Sequence, residues 1–124
     1  INVTSLINFH KNNNKLATVT AVKPLGRFGS LSIDKNNEVK NFSEKPKGDI
    51  GWINGGFFVV NSKCIDLIED DQTYWEREPL NSLVSSSQLN AYKHEGFWFA
   101  VDTMRDKIYL ENLITAEGKF PWLE

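Results

Sequence analysis

Residues 41–61 read NFSEKPKGDIGWINGGFFVVN, and this stretch decides the fold. It joins the charged pair Glu44-Lys45 to a rigid Pro46 and then to a small-residue turn, Asn54-Gly55-Gly56, followed directly by an apolar strand, Phe57 to Val60. Proline fixes its own φ and biases the residue before it toward an extended conformation, so Lys45 should leave its strand end in a defined direction. Paired glycines in a strand-like run point to a close backbone approach, by a ligand or by another segment. One cation with bare backbone beside it suits a phosphorylated sugar: a charge for the phosphate, and room for amides against hydroxyls. A surface Glu-Lys turn followed by a bulged core strand explains the same residues equally well.

Outward from this stretch the chain alternates helices with strands. Upstream, Asn2 caps an expected helix over residues 2–11, with Val3, Leu6, Ile7 and His10 on one face and Asn12-Asn13-Asn14 ending it. Leu16 to Val22 alternates as a strand. After the loop 23–27, Gly29 to Ile33 and Glu38 to Glu44 form a hairpin across Asp34-Lys35-Asn36-Asn37, residues that tolerate positive φ. Downstream, Asn61 or Ser62 caps a short helix burying Cys64, Ile65 and Ile68, and a second helix starts at Glu78-Pro79 with Leu80, Leu83 and Val84 inward. Short strands follow at 89–92 and 97–101, then a last helix from Met104 to about Leu113, opened by Asp102-Thr103 and closed before Gly118. The expected fold class is α/β: a partly parallel, mixed sheet flanked by helices, with an inserted β-hairpin.

Composition narrows the function. The 124 residues make one ordinary domain, and 14 Lys plus Arg against 16 Asp plus Glu leave a net charge of −2, with no basic excess for nucleic acid. No apolar run reaches the length of a membrane span. The single Cys64 cannot form an internal disulfide, which favours a reducing, cytoplasmic compartment. His10 and His94 lie far apart with no ligand spacing for zinc. The first residue is not a methionine and a helix starts at once, so upstream sequence is expected.

Taken together, GRFG (26–29), FSEKPKGD (42–49), INGGFFVVN (53–61), EPL (78–80), GFWFAVDTMRDK (96–107) and GKFPW (118–122) resemble one family. The chain is similar to the C-terminal half of the glucose-1-phosphate cytidylyltransferases, a branch of the sugar-phosphate nucleotidyltransferases. GRFG and FWFAVDTMRDK are the motifs more specific to the cytidylyl branch.

The resemblance implies a Rossmann-like fold and a reaction of CTP with α-D-glucose 1-phosphate, giving CDP-glucose and pyrophosphate with Mg²⁺, on a route to dideoxy sugars of surface polysaccharide. It also implies roles. Lys45 would hold the sugar phosphate, Glu44 would contact sugar hydroxyls, Gly29 and Gly56 would line the sugar pocket with Gly55 beside them, and Asp102 would ligate Mg²⁺. Asn54 and Trp98 adjoin these matched positions and join the substrate-binding set. The family's glycine-rich nucleotide loop and its second metal-binding aspartate have no counterpart here. Residues 1–124 are therefore expected to be the sugar-phosphate half, inactive alone, in a homo-oligomer. A non-catalytic assembly module, with Phe57, Phe58, Trp75 and Trp122 as interface residues and Lys45 incidental, and a nucleotidyltransferase using another base are the alternatives.

Overall fold

The structure is a computed structural model that describes residues 1–24, 29–44 and 51–123, with only the backbone described at 29–33 and 40–44. Among these residues the elements run α1 (Val3–Asn13), β1 (Ala17–Val22), β2 (Gly29–Ile33), β3 (Val39–Glu44), β4 (Ile53–Val60), a 3-10 helix (Ser62–Leu67), α2 (Glu78–Ser85), β5 (Leu89–His94) and α3 (Met104–Glu117). Strands β4, β1 and β5 pair in that order in a mixed sheet, and β2 and β3 form a separate antiparallel hairpin. The chain divides into two compact units, residues 1–21 with 54–94, and residues 22–53 with 95–124.

The first unit holds the sheet and most of the core. Asn2 caps α1 by accepting the Ser5 N–H at 2.9 Å, and Asn14 ends it at φ 49. Leu6 is the buried residue of α1, and Phe9 meets Tyr92 of β5 edge-on at 5.5 Å. Val3, expected inward, is 50% exposed.

β1 departs from the expected alternation. Five of its six residues are buried, as in a central strand covered on both faces. Its threonines are therefore interior: Thr18 Oγ1 bonds His10 Nδ1 at 2.9 Å, and Thr20 Oγ1 has no hydrogen-bond partner among the described residues.

Ala17, Cys64 and Leu83 centre a cluster on which Leu16, Leu67, Trp75, Leu80 and Leu89 pack. Burying a leucine such as Leu83 contributes about 1.5–3 kcal/mol. The helix after Asn61 is 3-10 rather than α, and its period of three residues puts Cys64 and Leu67 on one face. Ile65 (67% exposed) and Ile68 (45%) accordingly face away from the core, against expectation. In α2 the inward face is Pro79, Leu80 and Leu83, while Val84 stands outside.

The second unit holds the hairpin and α3. Asp34 builds the hairpin turn: its Oδ1 accepts the N–H groups of Asn36 and Glu38, and Asn37 takes a φ of 64°. Gly29 pairs with Glu44 and Ser32 with Asn41, after which the register shifts so that Ile33 pairs with Val39. Residues 97–101, expected as a strand, are irregular. Two rings of the stretch pack on other aromatics, Phe97 at 6.2 Å from Trp122 and Phe99 at 4.8 Å from Tyr109. α3 runs four residues past Leu113 to Glu117 before Gly118, at φ 66, ends it.

Candidate functional site

The hairpin register makes the first juxtaposition. Gly29, the last residue of GRFG, and Glu44, the first of EKP, are cross-strand partners at the open end of the hairpin. Opposed residues of an antiparallel pair have Cα atoms about 4.5–5.5 Å apart, so two motifs 15 positions apart in sequence meet there. Lys45, the next residue, lies outside the described residues.

Asp102 lies in the same unit, directly before α3. An aspartate in that place could cap the helix, but the cap is Thr103. Its hydroxyl accepts the Asp106 N–H at 3.2 Å, and Asp106 Oδ2 accepts the N–H groups of Thr103 at 3.0 Å and of Asp102 at 3.1 Å. This reciprocal capping box satisfies the helix start with two neighbouring side chains. The Asp102 carboxylate is left exposed, with no hydrogen bond or ion pair among the described residues. The sequence signal for Thr103 and Asp106 as site-shaping residues is TMRD at 103–106, which has the spacing of a capping box. Trp98 is half-buried in the irregular stretch leading to Asp102.

Asn54, Gly55 and Gly56 belong to the first unit and lie inside β4, not in a turn. Asn54 Oδ1 accepts the Gly56 N–H at 2.8 Å, and its amide donates to Glu76 Oε1 at 3.1 Å, so both ends of the side chain are held. Gly55 is buried. Gly56 has φ 89, and a Cβ there would meet nothing within 4 Å. Its glycine is therefore required by backbone conformation and not by the close approach of another described segment. Glu76 had no signal in the sequence.

The nucleotidyl transferase family profile matches residues 1–114. The chain belongs to that family. It is 52% identical over 122 residues to a glucose-1-phosphate cytidylyltransferase of Salmonella typhimurium, and 38% identical over 123 residues to a Bacillus subtilis protein described as a probable glucose-1-phosphate cytidylyltransferase. Each alignment takes in 98% of this chain and 47% of the relative, so the chain spans about half the length of the curated relatives it matches. Among solved structures, HddC from Yersinia pseudotuberculosis superposes with a TM-score of 0.53 at 19% identity, over 88% of this chain and 48% of that one. That likeness is one of fold. None of the helices among the described residues is long and apolar enough to cross a membrane.

Proposed function

We propose that this chain supplies the sugar-phosphate site of a glucose-1-phosphate cytidylyltransferase, which joins CTP and α-D-glucose 1-phosphate into CDP-glucose and releases pyrophosphate. The 52% identity to the Salmonella enzyme over 122 residues carries the reading. The exposed, unengaged carboxylate of Asp102 and the pairing of Gly29 with Glu44 support it. In the reaction a phosphate oxygen of the sugar attacks the α-phosphorus of CTP, and the bond from that phosphorus to the pyrophosphate oxygen breaks. Two anions must meet, so positioning and charge compensation are the catalytic work, and no side-chain nucleophile is needed.

In this reading the Lys45 ammonium offsets the sugar phosphate. Glu44 accepts hydrogen bonds from sugar hydroxyls. Asn54, held at both ends, offers its remaining N–H and lone pair, and Gly29, Gly55, Gly56 and Trp98 are the further substrate-binding residues that the family resemblance assigns. Asp102 would hold Mg²⁺, which when bound compensates phosphate charge. The fit is that of one oxygen ligand: no group of three or more His, Cys, Asp or Glu able to hold a metal occurs among the described residues, and Mg²⁺ needs several oxygens. Phosphate oxygens would complete its shell. The 124 residues also have no glycine-rich basic loop for the nucleotide, so expressed alone they should make no CDP-glucose; detectable synthesis would overturn this point. In this reading the enzyme works in the cytoplasm, on a route to polysaccharide sugars, and one unpaired cysteine suits a reducing compartment.

Calorimetric titration with glucose 1-phosphate tests the reading. A charge-assisted bond contributes about 1.5–3 kcal/mol, so Lys45→Ala should weaken binding about 10- to 100-fold. A second reading, a homo-oligomeric assembly module without catalysis, is favoured by Phe57 (51% exposed) and Val60 (44%) on β4, an edge strand of its sheet. Phe58 and Trp75, which this reading also puts at the interface, pack on each other at 5.8 Å and are half-buried. No glucose 1-phosphate binding, together with oligomers that grow with concentration, would establish that second reading instead.

A further inference from the structure

In sequence, the excursion from the end of β1 at Val22 to the start of β4 at Ile53 carries the β2–β3 hairpin. The residues at the two ends of this excursion touch. Lys23 Nζ stands over the Trp52 ring, 4.7 Å from its centroid, and both side chains are half-buried. Gly29 and Glu44 lie between them in sequence, and both partners belong to the same unit as the hairpin.

We propose that Lys23 and Trp52 form a positioning clasp that ties together the chain before and after residues 29–44, and so restrains the β2–β3 hairpin arm with the glycine and acid assigned to the sugar phosphate. The chemistry suits the task. A lysine over an indole face is an attraction that survives partial exposure, and tryptophan is the best aromatic partner for it. It also removes Lys23 from the set of free loop cations that could meet phosphate directly. The clasp acts through the arm and touches no reacting atom in this account. Its effect on ligand binding rests on the sugar-phosphate reading above; its effect on the arm does not.

The test separates the two. ¹⁵N relaxation on the ligand-free chain reads the order of the Gly29–Ile33 and Val39–Glu44 amides in the parent, Lys23→Met, Trp52→Leu and Lys23→Arg proteins. Loss of order in the first two variants, confined to the arm and with β1 and β5 amides unchanged, is the expected result. Lys23→Arg should restore it, because a guanidinium stacks on indole as well. Unchanged arm order in Lys23→Met overturns the clasp, as does loss of order spread over the whole chain. Glucose 1-phosphate affinity, measured on the same samples, should fall about 2- to 5-fold in Lys23→Met and recover in Lys23→Arg. A looser arm with undiminished affinity refutes the positioning role, whereas a parent protein that does not bind the sugar phosphate refutes the functional reading and leaves the relaxation result standing.

Discussion

Replacing Asp106 with alanine should destabilise the chain far more than replacing Asp102, although Asp102 is the residue assigned a chemical role. Asp106 is 4% exposed and its Oδ2 accepts two backbone N–H groups, at 3.0 and 3.1 Å. Each bond to a charged acceptor contributes about 1.5 kcal/mol or more. Water can reach the freed N–H groups of the exposed Asp102 and Thr103, which returns part of that loss. A net cost of about 2 kcal/mol follows. For a chain of this size each kcal/mol moves the midpoint of thermal unfolding by about 4 °C, so Asp106→Ala should melt about 8 °C lower. Asp106→Asn keeps one acceptor oxygen and should lose about half as much. Asp102→Ala removes an exposed carboxylate with no described partner and should stay within about 0.5 kcal/mol of the parent. Thermal denaturation followed by circular dichroism at 222 nm reads all three. Equal destabilisation by Asp102→Ala and Asp106→Ala would show that Asp102 is a structural cap after all, and the metal-ligand assignment would lose its main physical support.

Two further outcomes are expected. Gly56→Ala should cost about 1–2 kcal/mol in urea unfolding because φ is 89, even though the added methyl meets nothing within 4 Å; a neutral substitution would mean that the strand relaxes to negative φ there. Burial pushes the Cys64 thiol pKa up from its ordinary 9.0, so the folded chain holds that proton more tightly than the unfolded one. The resulting stabilisation is intact below pH 9.0 and erodes as pH rises through the raised folded value, and Cys64→Ala should flatten this alkaline decline. Reaction of the thiol with a disulfide reagent at neutral pH should be slow until denaturant is added.

Local chemistry made much of this fold readable in advance. Asn2, Asn61, Pro79 and Gly118 each mark a helix boundary where the sequence suggested one, since caps and proline act within a few residues. The hairpin was legible because Asp34 and Asn37 carry their own turn geometry. What failed depended on neighbours. Alternation in β1 promised one wet face, but elements on both sides cover it and take Thr18 and Thr20 inside. Ile65 and Ile68 looked buried because an α-helical period was assumed where the chain winds with three residues per turn. At the candidate site, an aspartate directly before a helix suits cap or ligand alike, and the bond that the Thr103 hydroxyl accepts from the Asp106 N–H gives the cap to Thr103. Glu76 and the Lys23–Trp52 contact join residues more than 20 positions apart, and no local pattern announces such pairs.

The bulge beside Ile33 bears on how this hairpin can change its length. Upstream of the bulge each pairing is fixed by a count of residues measured back from the turn, and strand periodicity is two. Deleting a single residue between Asp34 and Glu38 would either iron out the bulge or slide Glu44 one step past Gly29, turning its side chain to the opposite face. Relatives that trim or extend this turn should therefore do so in pairs, or keep the bulge as the slack that absorbs an odd residue, while the identity of the turn residues drifts freely.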